Sequence, residues 1–215
     1  RPMWFIMDSG FGNGYDVYEL SSNFKSIFYK GYAMNQFIIT EEFQKMFPNA
    51  QIGVIIARDL DNTEDGPRMD RAAVMKGLAE AEAAASDFLK AEVFSENPVI
   101  SVWRQAFRQF KTKKSARSSI EALLKRIDKG HAIPSINPLV DLYNTVSLTY
   151  GLPCGGEDLD CFVGDLTLTL AEGGEPFVAL GDTQRDDALP GELIYKDEAG
   201  AVCRCLNWRD GQRTM

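Results

Sequence analysis

The hydrophobic period of this chain changes once, after Pro153, and that change limits the folds open to it. Before it, apolar residues recur every three to four positions, as in Val99, Val102, Trp103, Ala106 and Phe110, and again in Leu139, Leu142, Val146 and Tyr150. That spacing lines one face of an α-helix. After it, Leu166-Thr167-Leu168-Thr169-Leu170 alternates strictly, the pattern of a strand with one buried face. Helices are expected over the first two thirds and strands over the last. The fold class is α+β, with helices packed on a mostly antiparallel β unit.

Local signals place the elements. Thr40 is expected to cap a short helix through Phe47, ended by Pro48 and Asn49, and Ile52 to Ala57 reads as a buried strand. Pro67 to Glu92 reads as the longest helix, and Asn97 with Pro98 as the cap and first turn of a helix through Phe110. Lys111 to Ala116 is a loop; Ser118-x-x-Glu121 is a capping box opening a helix over 120–127 that Gly130 stops. Asn137 and Pro138 open another, terminated by Gly151 and Pro153. Gly173-Gly174 marks a turn, and Pro176 to Leu180, Leu193 to Tyr195 and Val202 to Leu206 read as further strands. The Asp/Asn-rich loop 59–66 lacks the EF-hand pattern and reads as a solvated turn. Residues 1–33 hold nine of the 23 aromatics and read as a native extension or a leader, with 34–215 as the domain. If that segment folds, its rings dock on the body or on another subunit, and self-association through it is a third functional reading.

Composition narrows the chemistry. His131 is the one histidine, expected on the surface, so a multi-histidine metal cage is impossible and nucleophile–base catalysis has a single base to draw on. The four cysteines form no C-x-x-C pair and match no zinc template, which leaves reduced thiols in a cytoplasmic protein. No metal and no cofactor is expected. No apolar run approaches the roughly 18–20 residues of a membrane-spanning helix. The net charge of −8 hides an uneven distribution: from Arg104 to Lys129 nine basic residues face two acidic ones, +7 net. Such a stripe is either a solvated helical face or an electrostatic footprint for phosphates.

One stretch carries a resemblance. Ile136-Asn137-Pro138-Leu139-Val140-Asp141-Leu142-Tyr143-Asn144, then Gly151-Leu152-Pro153 and Asp158, resembles the B3/4 domain of the phenylalanyl-tRNA synthetase β subunit. That pattern runs P-I-N-N-V-V-D-V-T-N-Y, then G-Q-P-x-H-A-F-D. A strand, a Gly-Glu turn and a second strand follow, here at 166–170, Gly174-Glu175 and 177–181. Lys113-Lys114, Arg117 to Leu124, Gly191 to Tyr195 and Cys203-Arg204-x-x-Asn207-Trp208-Arg209 are similar to the free-standing B3/4 proteins.

The resemblance implies aminoacyl-tRNA binding and a trans-editing hydrolysis of the mischarged ester. The alternative is a non-catalytic module that binds a free amino acid or other small molecule. An aminoacyl ester is already activated, so positioned polar groups can suffice without a histidine. Carried over by position, Asn144 and Asp141 are the candidate catalytic residues. Tyr143 stands at the family's threonine and Gly155 at its histidine, and with Arg204, Asn207 and Arg209 they are the candidate substrate contacts. Arg104, Arg108, Lys111, Lys113, Lys114 and Arg117 are the candidate tRNA contacts, tRNA being the expected partner.

Overall fold

The computed structural model describes residues 36–57, 60–63 and 70–215, and the strand backbone of 3–7, 15–21 and 26–28. Much of the Asp/Asn-rich turn, Pro67, and the aromatic side chains of the first 33 residues lie outside the described residues.

In chain order the elements are β1 (Met3–Met7), β2 (Tyr15–Ser21), β3 (Ser26–Phe28), β4 (Gln36–Ile39), α1 (Glu41–Met46), β5 (Gln51–Ala57), α2 (Arg71–Ala84), α3 (Pro98–Phe107), α4 (Ser119–Asp128), α5 (Pro138–Tyr150), β6 (Leu166–Leu170), β7 (Leu193–Asp197), β8 (Gly200–Arg204) and β9 (Arg209–Asp210). They form an α+β fold. A three-stranded sheet has the order β1-β5-β2, and a six-stranded sheet the order β3-β4-β6-β7-β8-β9. In the larger sheet the pairings are antiparallel except β4 with β6, which run parallel with Phe37 opposite Leu166 and Ile39 opposite Leu168. The alternation of β6 does what its sequence implies: Leu166 and Leu168 are buried while Thr167 and Thr169 are only half-buried.

The helices show which local signals were used and which were not. α5 begins as its sequence prescribes. Asn137 Oδ1 accepts the Val140 N–H at 2.9 Å, Pro138 occupies the first turn, and Gly151 closes the helix at φ +66°. α4 uses half of its capping box: Ser118 Oγ accepts the Glu121 N–H, but the Glu121 carboxylate turns to Arg104. Asn97 precedes α3 without capping it. Its Oδ1 accepts the Ala91 N–H at 2.9 Å and its Nδ2 donates to the Phe94 carbonyl, so it ties the preceding loop instead. Thr40 likewise makes no cap bond to α1.

The longest-helix expectation is corrected at its end. α2 stops at Ala84, capped at its start by Asp70, and continues only as a 3₁₀ turn over Ala85–Phe88. The expected helix through Phe110 stops at Phe107. Pro176 to Leu180 is not a strand of either sheet; it makes two isolated bridges, Val178 to Arg185 and Ala179 to Gly211. β8 ends at Arg204 because Cys205 and Leu206 both adopt left-handed backbone, at φ +49° and +65°, and swing the chain toward β9.

One apolar core joins the helices to the sheets. Ile100, Ile120, Leu124, Leu148, Leu168 and Leu193 have no exposed surface, and each contributes about 1.5–3 kcal/mol by leaving water. No helix among the described residues is long and apolar enough to cross a membrane.

Candidate functional site

A small cavity lies at the start of α5, where the two halves of the motif meet. Asn62 Oδ1 accepts the Leu139 N–H at 2.9 Å and so fastens the 60–63 segment to the helix start. From the other side, Gly151 to Glu157 runs almost wholly buried, and the Asp158 N–H donates to the Thr214 carbonyl at 2.9 Å. Leu60, Leu139, Val140, Tyr143 and Met215 supply the apolar wall of the cavity. Asn62, Asn137, Gly156, Glu157 and Asp158 supply the polar one. Its volume is about 190 Å³. Ligand pockets run roughly 300–1,000 Å³, so this cavity suits a group of amino-acid size better than anything larger.

Glu157 is the chemical anomaly of this cavity. It is 5% exposed, and no N–H donor among the described residues reaches either carboxyl oxygen; the Asp210 carboxyl and the Thr214 hydroxyl lie beside it. Burial pushes its pKa well above the carboxylate range, and the neighbouring Asp210 carboxyl pushes it further. Thr214 and Arg213 pull the other way and lose; the Thr214 hydroxyl is near enough to act on the charge without meeting it in hydrogen-bonding geometry. Burial raises Asp210 as well. Tyr143 is raised first by burial and then by Asp210 and Glu157, so it stays a neutral phenol. Cys154, close by, is pushed up to about 12 by burial, which keeps it an unreactive thiol.

A stability prediction follows with a definite sign. The unfolded chain releases the Glu157 proton near pH ~4.3, while the folded chain keeps it. The folded state therefore binds more protons above that pH, and this contribution to stability falls as pH rises toward the raised pKa. Glu157→Gln removes the term. Urea unfolding of the two proteins is expected to show the Gln variant gaining on the wild type between pH 4.5 and 7; a constant difference would sink the assignment.

The motif residues divide sharply by environment. Asp141 is fully buried and engaged: Arg71 Nη1 reaches it at 2.7 Å, Ser135 Oγ donates at 2.8 Å and the Ile136 N–H at 3.0 Å. Its carboxylate is not available to a substrate. Asn144 is half-buried on α5 and is absent from the wall of the cavity, whereas Tyr143 forms part of it. Gly155 is buried beside wall residue Gly156.

Arg204 is also withdrawn from any ligand. It has no exposed surface; Nη2 donates to Glu192 at 2.6 Å, Nε at 2.9 Å, and Nη1 reaches Asp186 at 3.1 Å. The geometry shows a structural ion pair here, not a guanidinium presented to a substrate. Asn207 is buried with both amide atoms unpartnered among the described residues, and Arg209 is exposed, 5.1 Å from the Trp208 ring centroid.

The basic stripe is partly dispersed. Arg104, Lys114 and Arg117 line a shallow polar pocket of about 400 Å³ at the start of α4, with Trp103 and Phe107 also in its wall. Arg104 is held there by Glu121 at 2.7 Å. Lys113 pairs with Asp186, and Arg108 and Lys111 are exposed outside the pocket. His131 is exposed, and all four cysteines are free thiols.

Glu157 and Asp210 were not legible as site residues from composition or spacing. One signal could have found Glu157. In the G-Q-P-x-H-A-F-D pattern that the segment resembles, an apolar residue stands where this chain has Glu157, and that departure was visible in the sequence.

The phenylalanine–tRNA ligase beta subunit of Leifsonia xyli subsp. xyli (strain CTCB07) is 41% identical over 71 residues, which is 33% of this chain and 8% of that protein. The chain thus spans a small fraction of the relative it matches. No solved structure matches. The B3/4 domain family matches residues 102–215, from α3 through the end of the larger sheet and both pocket-forming motifs. That match takes in more than half of the chain, and the chain belongs to the B3/4 domain family.

Proposed function

We propose that the protein binds aminoacyl-tRNA, placing the aminoacyl group in the cavity at the start of α5, and that it hydrolyses mischarged esters in trans. The observation that carries this reading is the small, half-apolar cavity built by the two motif segments the chain shares with its family. A tRNA–aminoacyl ester needs two kinds of contact, and two are present: a cavity of amino-acid size, and a cationic surface for phosphates at Arg104, Lys114 and Arg117. The relative named as a tRNA ligase subunit supports the same partner class.

Each phosphate contact releases condensed counterions, so affinity falls with salt in proportion to the number of contacts. Lys114→Glu with Arg117→Glu is expected to weaken tRNA binding at least ten-fold at low salt and to flatten the salt dependence by about two contacts. Filter binding at several salt concentrations reads both. An unchanged slope would remove this surface from the interface.

A second reading is a binding module without hydrolysis. It is favoured by the engagement of Asp141 and the position of Asn144 outside the cavity wall, which remove both motif side chains expected to act on the ester. A deacylation assay on a panel of mischarged tRNAs, with Asn144→Ala alongside, separates the two. Turnover that survives Asn144→Ala would place the chemistry elsewhere in the cavity; no turnover on any of them would leave the binding module.

A further inference from the structure

We infer that the α5 cavity recognises a primary ammonium group whose neighbouring carboxyl is masked, and that Glu157 is the residue that takes the charge. The inference rests on the reading above and names the ligand chemistry of its cavity.

The acceptors around the cavity are unequally committed. Asn62 Oδ1 is engaged by the Leu139 N–H, Asn137 Oδ1 by the Val140 N–H, and Asp158 Oδ1 by the Asp160 N–H at 3.0 Å. Glu157 alone presents a 95% buried carboxyl that no N–H donor of the protein reaches; its neighbours are the Asp210 carboxyl and the Thr214 hydroxyl, and it lines the cavity. A buried polar group left without a partner costs about 1–3 kcal/mol, a cost that a ligand donor would remove.

The sign of the ligand charge follows from the surroundings. No Lys, Arg or His lines the cavity among the described residues. The groups that act on Glu157 are Asp210, Arg213 and Thr214, and Tyr143 and Cys203 feel its charge in turn. Arg213, the one cation of that set, is held at 2.7 and 2.8 Å by Asp197 and also donates to the Cys161 carbonyl. A free carboxylate would therefore meet acids and no uncommitted guanidinium, and it is disfavoured. An ammonium would find a desolvated carboxylate, the strong kind of charge-assisted pair. An amino acid joined through its carboxyl to an ester or amide satisfies both demands; a free amino acid satisfies one.

Binding should also move a proton. Burial and the adjoining Asp210 carboxyl favour the protonated form of Glu157, whereas pairing with an ammonium favours the ionised form, so binding is expected to release a proton to the buffer.

The test is isothermal titration of the full chain with the twenty L-amino-acid amides, the matching free amino acids and the matching des-amino amides. At least one amide is expected to bind, with its free acid and its des-amino counterpart each ten-fold or more weaker. Repeating the titration in buffers of different ionisation enthalpy should show a proton released. Glu157→Gln should cost the amide ten-fold or more and leave the weak des-amino binding in place. If that variant fails to fold, proton release by the wild type decides alone: none released overturns the inference. Equal binding of the des-amino amide, full retention of amide binding by Glu157→Gln, or no bound amide in the panel would each do the same. Filter binding of tRNA reads the proposed function separately. Amide binding without tRNA binding leaves Glu157 its role and removes the tRNA; tRNA binding without amide binding does the reverse.

Discussion

Arg204→Met is expected to cost about 3–5 kcal/mol of folding stability. Arg204 and Glu192 are both completely buried and joined by bonds of 2.6–2.9 Å, and Cys205 Sγ approaches the same carboxylate at 3.6 Å. Removing the guanidinium leaves Glu192 charged in a low-dielectric interior, where an unpaired ion is far more expensive than the pair was favourable. The double variant Arg204→Met with Glu192→Leu is expected to recover most of the loss, since the Leu189 N–H is then the main group left without its carboxylate. Urea unfolding checks both. A single variant that loses under about 1 kcal/mol, or a double variant no better than the single, would show that the Arg204–Glu192 pair is not what makes Arg204 necessary for stability.

Asp141→Ala is the second large effect, about 3 kcal/mol, because one buried carboxylate serves Arg71, the Ser135 hydroxyl and the Ile136 N–H together. The consequence for function is that activity lost in this variant follows the folded fraction. Asp141→Asn keeps the shape and one acceptor, and is expected to lose about half as much. A deacylation rate that falls a hundred-fold while urea unfolding is unchanged would restore Asp141 as a catalytic group.

Legibility in the sequence followed locality. α5 could be read at both ends because its cap and proline at one end, and its left-handed glycine at the other, each act within a few residues of the helix end they mark. β6 could be read because alternation is a local pattern. Asn97 and Glu121 show the limit. Both have the right residue at the right spacing, yet their side chains answer to partners elsewhere, Ala91 and Phe94 in one case and Arg104 in the other. The cavity was legible as a region, through Tyr143 and the Gly151 to Asp158 segment, but not as chemistry. Glu157 and Asp210 lie 53 positions apart and become neighbours only when the 3₁₀ turn Gln212–Thr214 brings the last residues back against Asp158. Arg204 misleads for the same reason: exposure cannot be read from a basic residue in a motif, and its buried acid sits on another strand segment.

The parallel pairing of β4 with β6 governs the order in which the chain can be completed. Phe37 and Leu166 are separated by 129 positions, so the larger sheet cannot close until five helices have been made in between. Contacts of that sequence separation slow folding more than they alter stability. During synthesis one edge of β4, with its apolar Phe37 and Ile39, stays open while residues 40–165 emerge. An unpaired apolar edge is a template for other chains. The nascent protein is therefore most exposed to association over that interval, and the arrival of Leu166 to Leu168 ends it.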